Sequence, residues 1–376
     1  MSNKYLELTV PGVRGLHPYQ PGKPISELER EYGVSDIVKL ASNENPTGPG
    51  PLVRQAIERT LDDLARYPDA NGFALKGALA RRHGVPAECI TLGNGSNDVL
   101  VLLAEAFLQP GLEAVHSQFA FAVYPLAIQA AGAAARVAPA LSWEEPQPLG
   151  HDLTAMGGMV GEKTRLVFIA NPNNPTGTWI DGESLENFVS SMPDDTLVVI
   201  DEAYSEYVED PTYPDCVSWV ERYPNLIVTR TFSKAFGLAG LRIGYAVSHP
   251  GIADILNRLR QPFNVNTVAQ EAAVAALADE HYLTSSVRMN NSERVRLTDA
   301  FTALELRQVP SVCNFVLVDF DRPAGSVYEA LLRKSVIVRP VANYGLPDCL
   351  RISIGTPDEN ERLISALTEV LTESGG

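Results

Sequence analysis

Four short runs of Val, Ile and Leu constrain this chain more than any other feature. They are RLVFIA (165–170), TLVVID (196–201), NLIVTRT (225–231) and RIGYAVS (242–248). Runs this apolar suit strands buried on both faces, and such strands build largely parallel sheets covered by helices. Helical patterns lie between and around them, as in SNDVLVLLAEAFL (96–108), which opens after glycines. An α/β unit with a mostly parallel sheet between helices is therefore expected. Beyond residue 250 the pattern changes. A long helical stretch (285–306) is followed by FVLVDF (315–320), a helix near 325–334, VIVRPV (336–341), LRISIG (350–355) and a last helix from about 358. Helices against a small sheet make a separate, smaller α+β unit. The expected division is an N-terminal arm (1–35), a large domain (36–260) and a small C-terminal domain (261–376). Four prolines and three glycines in residues 11–24 predict an extended arm.

Ligands of open α/β sheets lie at the carboxyl ends of the strands, and three of these runs end in unusual polar residues. RLVFIA leads into NPNNPTGT, with Asn174. TLVVID ends on Asp201, with Tyr204 three positions on. NLIVTRT leads to Thr231, Ser233 and Lys234. Each alone has an ordinary explanation: a turn, a helix cap, a solvated lysine. Asn174 precedes Asp201 by 27 residues and Asp201 precedes Lys234 by 33, and in an α/β alternation these intervals bring all three to one crevice.

A lysine desolvated beside other cations becomes an amine nucleophile toward an aldehyde. Pyridoxal phosphate requires such a lysine, an acid for its pyridine nitrogen and donors for its phosphate. Lys234 fits the first role and Asp201 the second, while Tyr204 and Asn174 can hydrogen-bond the ring oxygen. GNGSND (93–98) opens a helix, so Ser96 and Asn97 offer free backbone N–H groups at its positive end. Thr231 and Ser233 add hydroxyls, and Arg242 adds a bidentate fork.

The formal net charge of −16 argues against binding a nucleic-acid backbone. The four cysteines form no CxxC pair, so no metal or redox site is expected. No apolar run reaches membrane-spanning length, and the first residues lack a signal-peptide core. A cytoplasmic protein that binds neither membrane nor nucleic acid is the expectation.

NPNNPTG, DEAYSEY and TFSKAFGLAGLRIGY resemble, in order and spacing, the motifs of fold-type-I pyridoxal-phosphate aminotransferases. LHPYQPGKP (16–24), SNENP (42–46), RYPD (66–69) and VRPVANYGLPDCLRISIGT (338–356) resemble those of the histidinol-phosphate aminotransferases in particular. The resemblance implies transamination of histidinol phosphate with 2-oxoglutarate, giving imidazole-acetol phosphate and glutamate, by a homodimer. It implies that Tyr67 reaches the cofactor phosphate of the partner subunit. Phe119 would stack on the pyridine ring, where the family often has tyrosine; Asn97 stands where many relatives have aspartate. Arg339 and Arg351, with Tyr19, would hold the substrate phosphate, and Arg351 alone the carboxylate of glutamate. Asn43 is a further candidate substrate contact.

Three rival readings remain. One is an aromatic or broad-range aminotransferase, because a pocket that holds imidazole can accept phenyl. Another is a decarboxylase of a phosphorylated amino acid on the same scaffold. The third, an effector-sensing domain of a transcription regulator, requires a DNA-binding module, and the chain has no basic segment to supply one.

Overall fold

A computed structural model describes residues 4–17 and 22–374. Its strands are β1 (Val38–Lys39), β2 (Ile90–Gly93), β3 (Glu113–Ser117), β4 (Ala134–Ala138), β5 (Thr164–Ala170), β6 (Leu197–Asp201), β7 (Leu226–Thr231), β8 (Gly244–Ser248), β9 (Arg307–Gln308), β10 (Phe315–Asp319), β11 (Val336–Ile337), β12 (Arg339–Pro340) and β13 (Cys349–Ser353).

Seven strands form the large sheet in the order β2-β8-β7-β6-β5-β3-β4. The two-residue periodicity of the strands divides their side chains between two cores. Val167, Ile169, Val198, Ile200 and Val228 face one layer, packing with Leu75, Leu79 and Ala273. Leu166, Phe168, Val199 and Ile227 face the other, against Val99, Leu103 and Ile128. This double burial explains why the runs lack polar alternation. Strands β3 to β7 pair in parallel, whereas β8 runs antiparallel to both β7 and β2. A parallel return needs a long crossover, usually an α-helix. The connection 232–243 carries only the short 3-10 helix Ala239–Leu241, so the chain turns straight back.

The C-terminal sheet is antiparallel, in the order β12-β13-β10-β9. Its core gathers Val316, Val318, Leu350 and Ile352 with Leu297 and Phe301 of the helix Glu280–Ala303, and with Leu363 and Leu367 of the helix Pro357–Ser374. VIVRPV divides into two strands: β11 pairs in parallel with β1, and β12 joins β13. Residues near 38 therefore lie with the C-terminal sheet, although they precede the large sheet in the chain.

The arm differs from the extended segment expected. Pro11–Arg14 is a helical turn with proline at its first position, where a missing N–H costs no hydrogen bond. Gly12 lies so close to the carbonyls of Gln129 and Ala130 that a Cβ would collide with them. Among the described residues no helix is long and apolar enough to cross a membrane, and no cluster of His, Cys, Asp and Glu could hold a metal ion.

Candidate active site

The carboxyl ends of β5, β6 and β7 open onto a cavity of about 250 Å³, which β12 and β13 close from the C-terminal side. Asp201, the last residue of β6, is buried there. Its Oδ2 accepts a hydrogen bond from Tyr124 (2.9 Å) and its Oδ1 one from Thr229 (3.0 Å). Burial pushes the carboxyl up to about 6, against the lowering effect of the two hydroxyls. At neutral pH it remains mostly ionised.

Lys234 follows β7. Its Nζ lies 3.4 Å and 3.3 Å from the carbonyl oxygens of Ser42 and Asn43, and 5.5 Å from the centre of the Tyr204 ring. Burial, reinforced by the positive charges of Arg351 and Arg242, pushes the amine down to about 8; Glu44 opposes the shift. Such a lysine is half neutral within reach of physiological pH, as a nucleophile or base must be.

Tyr204 accepts from Asn43 Nδ2 (3.0 Å), and burial raises its pKa, so its own O–H stays a donor. Asn43 adopts φ 54°, a left-handed conformation that asparagine tolerates. Its backbone N–H donates to Ser353 Oγ (2.8 Å) and its carbonyl accepts from Asn314 Nδ2 (3.0 Å). Asn174 accepts from Arg351 Nη1 at 2.6 Å, which leaves its amide nitrogen as a donor. Arg351 Nη2 donates to the Ala41 carbonyl (3.0 Å), and its guanidinium lies 5.4 Å from the Phe315 ring centre. Arg339 is directly opposite Arg351 across β12 and β13, and both side chains line the cavity.

The remaining corner is rich in donors. Ser96 and Asn97 open the helix Ser96–Phe107, whose first N–H groups have no side-chain cap. Arg242 reaches Ser233 Oγ (3.4 Å) and the Ala239 carbonyl (3.0 Å), and Thr231 Oγ1 accepts from the Ser233 N–H (3.1 Å). A Cβ on Gly95 would collide with the Arg242 guanidinium, and one on Gly244 with the Ser96 nitrogen. The two glycines thus let β8 and Arg242 approach the helix N-terminus. A phosphate dianion fits this donor set, and a pyridinium nitrogen fits Asp201. The cavity carries four cations (Lys234, Arg242, Arg339, Arg351) against Asp201 and Glu44. In a chain of net charge −16 this is a local reversal of sign, suited to anionic ligands.

Two of the expected residues do not line this cavity. Phe119 is buried among Leu149, Val309, Leu317 and Val341. Its carbonyl accepts from Asn173 Nδ2 (2.8 Å) in the turn after β3, and Phe121, two residues on, lines the cavity. Phe121 is therefore a second candidate stacking ring beside Phe119. Tyr67 lies outside the cavity, 83% exposed, stacked on Phe263 with ring centres 4.8 Å apart. Tyr19 lies outside the described residues. Sequence reasoning missed Tyr124, Thr229, Phe121 and Tyr344. Of these, only Thr229 carried a signal, being two residues before Thr231 on one strand face.

Lys234 should react with amine-directed reagents at a lower pH than other lysines. In cofactor-free protein its labelling, followed by peptide mass spectrometry, should reach half-maximum near pH 8, roughly two units below a solvated lysine. Labelling in step with surface lysines would contradict the burial argument.

The family described as aminotransferase class I and II matches residues 35–367. Histidinol-phosphate aminotransferase 2 of Pseudomonas aeruginosa is 56% identical over 369 residues, covering 98% of each chain. Histidinol-phosphate aminotransferase 1 of Nitrosococcus oceani is 54% identical with the same coverage. The crystal structure of histidinol-phosphate aminotransferase from Sinorhizobium meliloti, in complex with pyridoxal-5'-phosphate, aligns with a TM-score of 0.89 at 32% identity, over 97% of this chain and 98% of that one. Sequence, fold and cavity agree, and the chain belongs to the class I and II aminotransferases, among the histidinol-phosphate aminotransferases.

Proposed function

We propose that the chain transfers the amino group of histidinol phosphate to 2-oxoglutarate, with pyridoxal phosphate as its cofactor. The observation that carries this reading is the pairing, in one cavity, of a lysine lowered to about 8 with a buried aspartate, under two arginines from the small sheet. Relatives 54–56% identical bear the name of that activity.

Pyridoxal phosphate, when bound, supplies an aldehyde carbon for the amino group and a ring that takes up the electrons of the broken C–H bond. Lys234 Nζ takes the proton from the amine-bearing carbon of the substrate, because burial and neighbouring cations keep a neutral fraction available. Asp201 holds the proton on the ring nitrogen. Tyr204 and Asn174 would offer donors to the ring oxygen, and Phe121 would pack against the ring. The amides of Ser96 and Asn97, the hydroxyls of Thr231 and Ser233, and Arg242 hold the phosphate.

On the substrate side, Arg339 and Arg351 together take the phosphate ester, and Arg351 alone takes the carboxylate of glutamate. Asn43 orders the wall beneath them. Arg339→Ala should therefore raise KM for histidinol phosphate by about tenfold or more and leave KM for glutamate within roughly threefold, since a charge-assisted hydrogen bond is worth about 1.5–3 kcal/mol. Equal losses for both substrates, measured by steady-state kinetics, would refute this division.

The same reading makes the working unit a homodimer, with Tyr67 of one copy reaching the phosphate site of the other. Its support is a run of exposed apolar side chains: Leu61 (54%), Leu64 (57%), Tyr67 (83%) and Phe73 (84%). Sedimentation should give a dimer, and Tyr67→Ala should weaken cofactor affinity without unfolding the chain; a monomer with full cofactor affinity would reject the idea. Four buried free thiols suit a reducing, cytoplasmic setting.

The test of the activity is one half-reaction. Cofactor-loaded protein is mixed with histidinol phosphate, and separately with phenylalanine, while the cofactor's visible absorbance is followed. Much faster conversion by histidinol phosphate is expected. Equal or faster conversion by phenylalanine would make this a broad aromatic aminotransferase, and wild-type turnover in Lys234→Ala would remove the proposed base.

A further inference from the structure

Asp201 is held by two hydroxyls rather than by a cation in hydrogen-bonding contact. A buried carboxylate has acceptor sites only, and both hydroxyls must donate to it while it is charged. Protonation would weaken both bonds, because a neutral carboxyl is a poorer acceptor than a carboxylate. Tyr124 is well fixed for its part. The residue is fully buried in the helix Val123–Ala130, its ring stacked on Phe168 with centres 4.9 Å apart and planes at 10°. Its other side meets Phe121 edge-on at 5.8 Å, the ring that lines the cavity. One side chain thus contacts both the candidate acid and a candidate stacking ring.

We propose that Tyr124 is a positioning residue for the cofactor: its hydroxyl, immobilised by the Phe168 stack, orients the Asp201 carboxylate toward the ring nitrogen and selects its ionised form. This inference rests on the proposed role of Asp201. The other groups acting on Asp201 are Thr229 on β7, which donates to Oδ1, Lys234 beyond the same strand, whose charge favours ionisation, and Glu202 next in the chain, which opposes it. The Tyr124 hydroxyl is itself pushed well above its ordinary pKa, chiefly by burial and then by Asp201, so it keeps its proton throughout the working range.

Removing this one oxygen has an effect that depends on pH. Without its donor, Asp201 in the cofactor-free protein takes up a proton at higher pH. Cofactor binding, which needs the carboxylate charged, must then compete with that proton. A lost packing contact would weaken binding by the same factor at every pH.

The experiment strips the full chain of cofactor and titrates pyridoxal phosphate into wild type, Tyr124→Phe and Asp201→Asn between about pH 5.5 and 8.5. Affinity is read from quenching of intrinsic fluorescence. Because the ligand is the same throughout, its own titration cancels in the ratio of variant to wild type. Tyr124→Phe keeps the ring and its stack. Its affinity loss should be about tenfold greater at the acid end than at the alkaline end, as a pKa increase of about one unit requires. A pH-independent ratio, or no loss, overturns the role of Tyr124. Wild-type affinity in Asp201→Asn at every pH would instead overturn the role of Asp201, and with it the proposed cofactor geometry.

Discussion

The rest of the site depends on keeping a buried carboxylate charged. Asp201 ends a strand covered on both faces and is only 4% exposed, so its ionisation leans on protein groups. The hydroxyls of Tyr124 and Thr229 provide that support, and each comes from a different element: the helix after β3, and β7. A parallel sheet suits this purpose because its strands end together. Parallel register aligns Ala170 with Asp201, and Asp201 with Thr229. The same register places the loop bearing Asn174 and the turn bearing Lys234 on either side of the carboxylate.

Charge is arranged on a second scale. The chain as a whole is strongly acidic, yet four cations line one cavity of about 250 Å³. Their mutual repulsion helps lower the lysine, because Arg351 and Arg242 both disfavour a further positive charge. The residues proposed to hold anionic ligands thereby also lower the proposed base. Arg351 performs a third task by bonding Asn174, which ties the small sheet to the loop after β5. Losing it would affect binding, basicity and geometry together, and the three effects would not add independently.

Much of this was legible in the chain because double burial leaves a plain mark. β5, β6 and β7 each carry a compact apolar run (LVFIA, LVVI and LIV), and the residues at their ends could be read as one crevice. Thr229 was within reach too, since Thr229 and Thr231 must share a face of β7. Direction was harder: β8 has the composition of a parallel strand, and only its short connection makes it antiparallel. Contacts between distant elements left no local trace. Tyr124 is an ordinary helical aromatic in sequence, and its bond to Asp201 exists only once the helix after β3 packs beside β6. Phe119 and Phe121 are equally aromatic two residues apart, and only the folded turn, with its bond from the Asn173 side chain to the Phe119 carbonyl, distinguishes their surroundings. The two-residue pairing of β1 with β11 is too short to have any pattern.

That small pairing limits how the cavity can open. Val38 and Lys39 are stitched to Val336 and Ile337 of the C-terminal part, while Asn45, a few residues on, donates to the Ala235 carbonyl beside Lys234. The strap between them supplies the Ser42 and Asn43 carbonyls that approach the lysine. An extended chain gains no more than about 3.3–3.6 Å per residue, so this leash has little slack. Any displacement of the C-terminal part would therefore be bounded by this strap. It would also move those carbonyls relative to Lys234 Nζ, coupling the mouth of the cavity to the surroundings of the amine.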